Sequence, residues 1–550
     1  MDYKRYLKTE YRQHCRADES PCPDHCRRFA LSDPANKCFA ESDCFHEHSQ
    51  KCDSCEQINE ATQAIEKKIT ELSSNMYSQQ QHEELKYYFK QAKDNVYNWK
   101  AHILRAENQE EGKQDVIRNM GNHDALLLMD WAMKFTHIKY REKQTEWFAK
   151  RGMNWHVSSV VTKDGRSNLQ VVYFAHLFDS CTQDWFAVVS LLESLIQAIK
   201  EQVDPQLKRV FLRSDEAGCY HNVNLYAAAK DVVERMNITV ERYDHSEPQF
   251  GKDITDRIIC PMKGCLRRYC NEGNNIVSAE DMHKALKTRS VRGTTAAVCA
   301  VQESSQNLSL KKLKGFSAFH NVRYEHNGLR VWKAFGIGEG KLIPWNGVYI
   351  HHQGPTNIQT SKDNDFFSIT SKNIEVQPRQ NNDPEAEDKL FKCQFENCGA
   401  SFTNIEEVEA HQTFFEHKSP KCRDESLFDT LRRQWVAKFS SVDDQQQQDK
   451  AVITESIADA TGSPTLKKGW ALHKPRGKGS RFSEKVLNYL TAKYNIGETT
   501  KHKCDPLQVS KDMRKATDES GERLFTQGEW LTKKQVQVNR GLDVPVVIFT

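Results

Sequence analysis

Two apolar runs in this chain each stop on an aspartate: LLLMD closes at Asp130 and VFLRSD at Asp215. Short apolar runs bounded by polar chain have the length of buried strands rather than of helices. The segments around them set an order. Trp155–Thr162 and Leu169–Phe178 are rich in valine and aromatic residues, and GRSN between them is a turn. From Trp185 to Val203, residues Val188, Leu192, Leu195, Ile196 and Ile199 fall on one helical face. Val210–Leu212 is the next strand, Asn224–Met236 a helix, Ile238–Arg242 a further strand, and Ile254 to Tyr269 a helix.

Three strands followed by helix, strand, helix, strand and helix is the order of an RNase H-like fold, a mixed sheet with helices packed on it. The expected fold class is therefore multidomain α/β. An RNase H-like core occupies residues 121–300, with small zinc modules and a helical C-terminal domain around it. The 550 residues leave room for all of these. Residues 1–56 read as a Cys/His zinc-binding module and 57–120 as a helical linker. In the linker Ile58, Ile65, Ile69, Leu72 and Met76 form one apolar stripe; Leu85, Phe89, Ala92, Val96, Trp99 and Ile103 form another. SQQQHEE interrupts the pattern, so two helices packed on the following domain are preferred to a dimerising coiled coil. Self-association through the 57–110 helices is the other reading.

Residues 301–375 are β-rich. GIGEGK, Gly336 to Lys341, is one residue short of a phosphate loop and has Leu342 where a hydroxyl is needed, so it reads as a strand turn. A linker at 376–391, a finger at 392–418, and a helix with a Gln-rich linker at 419–461 lead to a basic helical domain at 462–550. There Lys467, Lys468, Lys474, Arg476, Lys478, Arg481 and Lys485 are opposed only by Glu484. Helices are predicted at Ser483–Tyr494, at Pro506–Ala516 behind Asp505 as cap, and after Thr526, which fits a capping box with Glu529. The net charge of +3 averages this basic unit against acidic segments near the finger and so conceals it.

The N-terminus, MDYKRYLKTE, has no apolar core of a secretory signal, and no run approaches a membrane span. The 17 cysteines are thus expected in a reducing compartment, where clusters bind metal rather than pair. Seven fall within residues 1–55, in C-P-D-H-C, C-F-H-E-H and C-D-S-C. Cys22 with Cys26, Cys44 with His46 or His48, and the Cys52/Cys55 knuckle are the candidate zinc ligands. A segment so poor in aliphatic residues needs such a staple to fold. Cys393, Cys398, His411 and His417 form C-x4-C-x12-H-x5-H, the spacing of a C₂H₂ finger, with Phe402 and Val408 at its two apolar positions. Its helix carries Glu406, Glu407 and Glu409, which do not suit base reading; a protein-contact or architectural role fits as well.

Carboxylates at the carboxyl ends of buried strands project into water, where a hard cation can bridge them. Asp130 and Asp215 are so placed, and Asp256, at the start of the helix from Ile254, is the candidate third acid. Asp253 and Glu272 compete with Asp256, and Asp179 with Asp130. Lys252 and Arg257 could position phosphates. Cys219 and His221 lie nearby, without support for a thiol nucleophile.

With these residues in view, the chain resembles a family of metazoan mobile-element proteins with a DDE-type transposase core. The resemblance rests on MDWAMKF, REKQTEWFAKRGMNWH, FLRSDEAGCYHN, EPQFGKDITDR, NEGNNIVSAEDMHKAL, the N-terminal Cys/His cluster, the finger, and GWAL with RFSEKVLNYLTAKYNIGE. It implies an RNase H-like core whose three acids, here Asp130, Asp215 and Asp256, hold catalytic Mg²⁺ or Mn²⁺, beside structural zinc. The family pattern has Asn after the second acid and Cys before the third; this chain has Glu216 and Thr255. The ending NRGLDVPVVIFT also departs from the polar helix that the family implies. The function expected is that of a transposase-like or transposon-derived nuclear protein that cleaves and joins DNA strands, with DNA as partner and no membrane association. A nuclease that cuts without joining, and a catalytically inactive zinc-binding nucleic-acid or protein interaction factor on the same scaffold, are the alternatives.

Overall fold

The computed structural model describes residues 3–369 except 18–19, 41–43, 45, 72–77, 145–149, 151, 166–167, 249–252, 302–307, 309 and 351–359. It also describes 391–392, 401–402, 466–473, 482–502, 504–518 and 520–537. The expected finger ligands Cys393, Cys398, His411 and His417 lie outside the described residues, as does the helix expected near Leu427. The chain forms two compact units: residues 1–65 with 94–473, and residues 66–93 with 474–550.

The first unit is built on one mixed sheet. Its centre is β1 (Asp124–Trp131), which pairs antiparallel with β3 (Gly152–Lys163) and parallel with β5 (Arg209–Ser214). The short β2 (Phe135–Thr136) pairs with β3. Outward from β3 comes antiparallel β4 (Leu169–Phe178), and outward from β5 comes parallel β6 (Thr239–His245). The order β4-β3-β1-β5-β6, with β3 alone reversed, is the RNase H-like sheet. Both edges are extended. β7 (Thr294–Val301) joins β4 in parallel; β8 (Asn321–Glu325), β9 (Gly328–Trp332) and β10 (Lys341–Pro344) continue antiparallel from β6. β11 (Thr360–Asn364) closes the β7 edge. The β-rich stretch after residue 301 therefore continues the core sheet. GIGEGK is the turn into β10: Gly336, Gly338 and Gly340 all have positive φ, and a Cβ on Gly338 would lie 2.7 Å from the Cys38 carbonyl oxygen.

Alternation along β1 sends side chains to two different cores. Ala125, Leu127 and Met129 pack with α6 (Trp185–Gln202) and α7 (Val223–Arg235) through Val188, Leu192, Val232 and Val233. Leu126 and Leu128 face the other way, against Val116, Ile117 and Ile254. A strand covered on both sides must be apolar throughout, which is why LLLM shows no alternation in sequence. Helices α8 (Ile254–Asn271) and α9 (Ala279–Thr288) cover β3, β4 and β7 with a further apolar cluster.

The N-terminal chain runs through short helices α1 (Tyr3–Lys8), α2 (Glu10–His14) and α3 (Arg27–Leu31) into α4 (Asp53–Glu71), and then α5 (Gln79–Asn119). The part of α5 beyond Asp94 is the spine of the first unit. Its buried residues include Lys100, Glu107, Asn108, Gln109 and Lys113, each matched to a partner. Lys100 pairs with Asp24, and Glu107 with Arg12 and Arg16, which dock the N-terminal module. Gln109 exchanges hydrogen bonds of 3.0 Å with the Asn321 side chain and accepts one from Arg213 at its carbonyl. The bland expectation of helices packed on the following domain describes this half of α5.

In the second unit, α11 (Glu484–Thr500), α12 (Pro506–Lys515) and α13 (Lys533–Gln537) enclose Val486, Leu490, Val509, Met513, Phe525, Trp530, Leu531 and Val536, with α10 (Trp345–Val348) preceding them in the first unit. Asp505 caps α12, and Thr526 with Glu529 forms the capping box; the helix expected after Thr526 is a single turn there, with α13 beginning at Lys533. Tyr87 packs edge-on to Trp530 at 5.2 Å, and Arg514 lies over the rings of Tyr87 and Tyr88. Among the described residues no helix is long and apolar enough to cross a membrane. Two-residue strands β12 (Phe391–Lys392) and β13 (Ser401–Phe402), which flank Cys393 and Cys398 in the sequence, pair antiparallel.

Candidate functional site

Parallel pairing aligns the carboxyl ends of β1 and β5, with Met129 opposite Ser214. Asp130 and Asp215, each one residue further on, therefore emerge side by side. By alternation Asp130 lies on the face of Leu126 and Leu128. That is where α8 begins: the Thr255 hydroxyl reaches the Leu128 carbonyl at 3.4 Å and the Ser159 hydroxyl at 2.8 Å. Asp256, in the first turn of α8, is thereby brought close enough for its charge to act on Asp130. Asp130 is half-buried, while Asp215 and Asp256 are exposed. Burial, then the neighbouring Asp256 and Asp215 carboxylates, push the Asp130 carboxyl up to about 7. Burial raises Asp215 as well, and Glu216 and Asp256 add to it, against an opposing hydrogen bond from the Ala217 N–H at 2.9 Å.

The competing acids have other work. Burial would raise Asp253, but Lys113 and Arg213 hold it below the ordinary carboxylate range; it caps α8 and lies 3.3 Å from the Lys113 ammonium. Asp179 accepts the Ala279 N–H at 2.7 Å at the start of α9. Glu272, at the far end of α8, pairs with Arg289 at 2.9 Å. Lys252 lies outside the described residues, and Arg257 is exposed on α8. The Cys219 thiol is pushed up to about 11 by burial and by Asp215, which does not suit a nucleophile.

Asp215 and Asp256 thus lie near enough for their charges to act on Asp130, although among the described residues the three do not form a group whose ligand atoms all lie within 4.8 Å of one another. Among the described residues Asp130 has no Lys or Arg partner to offset its neighbours' charge. Hard oxygen ligands in this state fit a cation of the Mg²⁺ or Mn²⁺ class.

The N-terminal cysteines and histidines gather into two groups. Cys26, Cys44, His46 and His48 have ligand atoms all within 4.8 Å of one another. A tetrahedral zinc site with ordinary bond lengths separates two sulfurs by about 3.8 Å and sulfur from nitrogen by about 3.6 Å. Here Cys26 and Cys44 are 3.7 Å apart, and Cys44 lies 3.5 Å from His48 Nε2 and 3.6 Å from His46 Nε2. His46 Nε2 is also 2.7 Å from the Ser20 carbonyl, a bond that as an N–H donor would leave Nδ1, 3.9 Å from Cys44, as the ligating nitrogen. The Phe29 N–H donates to Cys26 Sγ.

The second group is His14, His25 and Cys52, with Cys55 Sγ 3.4 Å from His25 Nε2. The Tyr6 hydroxyl lies 3.1 Å from Cys55 and 3.4 Å from Cys52. A shared proton holds the Cys52 thiol far down and pushes Cys55 far up. Cys22 falls outside both groups; burial raises its thiol, and the backbone N–H groups of Asp24 and Cys52 face its sulfur. His14 and His25, which the ligand spacing did not single out, fall in this second group. The first group is nested inside the second along the chain, so His25 and Cys26, though adjacent, fall in different groups. Ligand spacing alone carries no sign of that.

A family model described as a domain of unknown function (DUF8701) matches residues 109–331, the span from the end of α5 to β9 that holds all three carboxylates. No curated protein matches the chain. Among solved structures, the Mos1 mariner paired-end complex with Mn is similar over 45% of this chain and 80% of that chain, at 12% identity and a TM-score of 0.19. The Mos1 transposase paired-end complex with the left transposon end is similar over 42% of this chain and 70% of that chain, at 14% identity and a TM-score of 0.20.

Proposed function

We propose that the protein cleaves and joins DNA strands by metal-assisted attack of an oxygen nucleophile on a phosphodiester. The observation that supports this reading is the placement of Asp130 and Asp215 at adjacent strand ends with Asp256 near them: burial first, and then the Asp256 and Asp215 charges, push the Asp130 carboxyl up to about 7. Divalent cations at such carboxylates supply Lewis acidity and bring the attacking and leaving oxygens into line. Asp130 and Asp215 would hold them from adjacent strand ends, and Asp256 from a helix whose start is fixed by the Thr255 hydroxyl. Lys467, Lys468 and Lys485, with the basic residues 474–481 that lie outside the described residues, offer charge for the phosphate backbone. The two Cys/His groups and the finger carry structural zinc, and the place of action is the nucleus.

The test is nicking of a supercoiled plasmid by the full-length protein in Mg²⁺ or Mn²⁺. Nicking should require the cation and vanish in both Asp130→Asn and Asp215→Asn. Nicking that persists in either variant would overturn the assignment. DNA binding without any nicking, unchanged by the substitutions, would instead support the inactive interaction factor. Strand joining is then read with defined DNA ends.

A further inference from the structure

We infer that Glu216, His320 and His473 form a separate site for a borderline divalent cation such as Zn²⁺ or Co²⁺, which latches the segment that carries His473 to the core sheet. Their ligand atoms lie within 4.8 Å of one another. The three come from distant parts of the chain: Glu216 follows the end of β5, His320 precedes β8, and His473 follows the turn at Trp470–Leu472. Two imidazole nitrogens and one carboxylate oxygen make a donor set of the kind that zinc takes with one position left for water.

The buried member of the group is His320. His320 is 4% exposed, and its Nδ1 lies 2.5 Å from Glu216 Oε1. The oxygen is out of line with the ring N–H direction, so this buried nitrogen has no hydrogen-bond partner among the described residues. The His320 and His473 rings lie 4.6 Å apart at 34°.

His473 is oriented from behind. Its Nε2 is 3.1 Å from Glu247 Oε2, which fixes the tautomer with the lone pair on Nδ1. Glu247 is itself held by His102 Nδ1 at 3.0 Å and Arg105 Nε at 2.8 Å. A carboxylate behind a ligating histidine is the usual outer support of a metal site. The neighbouring backbone is also secured, since Arg105 donates to the Ala471 carbonyl at 2.7 Å and the Ala471 N–H to the Ala30 carbonyl at 3.0 Å.

This site does not depend on whether the aspartates cut DNA, and its test reads metal rather than activity. Metal-stripped full-length protein is titrated with Co²⁺ under reducing conditions. Thiolate sites give intense near-ultraviolet charge-transfer absorption; a site of two histidines and a glutamate gives only weak visible bands. Wild type should bind one more Co²⁺ per chain than His473→Ala or Glu216→Gln, with the thiolate bands unchanged. Glu247→Gln should weaken this one Co²⁺ by about tenfold or more. In wild-type protein, where folding of a variant is not at issue, Zn²⁺ should slow diethyl pyrocarbonate modification of His473 by about tenfold, as read by mass spectrometry. Equal Co²⁺ stoichiometry in wild type and both variants, or a His473 modification rate indifferent to Zn²⁺, would overturn the proposal.

Discussion

At the scale of single residues, the chemistry turns on Asp130. An acid whose folded pKa lies above its unfolded value binds its proton more tightly in the fold. The ionised form is therefore a cost to stability, which grows as pH rises from the unfolded value near 4 to the folded value of about 7 and is constant above it. In metal-free protein, Asp130→Asn should raise the melting temperature at pH 8, by a stabilisation on the order of a few kcal/mol. The gain should be smaller at pH 5, and melts at the two values decide it. Added Mn²⁺ should stabilise wild type and leave the variant unmoved. Thr255 and Glu216 also find partners at this scale. Thr255 anchors the start of α8 through Ser159 and Leu128, and Glu216 faces His320. For the N-terminal groups, Cys26→Ser and Cys52→Ser should each release one zinc per chain and the double variant two, by elemental analysis. Loss of both ions on either single change would show one shared site instead of two nested ones.

At the scale of elements, α5 joins the N-terminal module to the sheet through buried charge. Lys100 is 1% exposed, pairs with Asp24, and lies over the rings of Tyr11 and Trp470 at 5.3 and 5.8 Å. Lys100→Met leaves Asp24 without its cation and should cost about 3–5 kcal/mol. Faster limited proteolysis within residues 1–56 is the measurement, and adding Asp24→Asn should restore most of the resistance. This is also where sequence reading reached its limit. The strands β1 and β5 were legible because burial on both faces demands unbroken apolar runs, and the acids were legible because such runs end at water. The inner face of α5 was not, because Lys100, Glu107, Gln109 and Lys113 are buried by pairing rather than by hydrophobicity. Apolar periodicity is blind to burial of that kind. Likewise, nothing local in Asn321–Trp332 tells that these strands extend the same sheet, since their partner β6 is far away in sequence.

At the scale of the whole molecule, two compact units with separate cores should unfold separately. Trp530 is 4% exposed within the helical unit; Trp530→Ala should destabilise that unit by about 3–5 kcal/mol. In calorimetry one transition should move down while the other, which responds to zinc removal, stays in place. A single transition that shifts as a whole would contradict the division. The helical unit takes residues 66–93 from early in the chain and 474–550 from its end. During synthesis the first of these emerges long before the second exists. At about 5–20 residues per second, the wait is roughly 20–80 seconds. Tyr87 must spend that time without Trp530 to cover it. The hazard thus belongs to the ribosome-bound chain: an interruption of translation before residue 474 strands an incomplete helical face, which makes the early helices the natural place for a chaperone to hold.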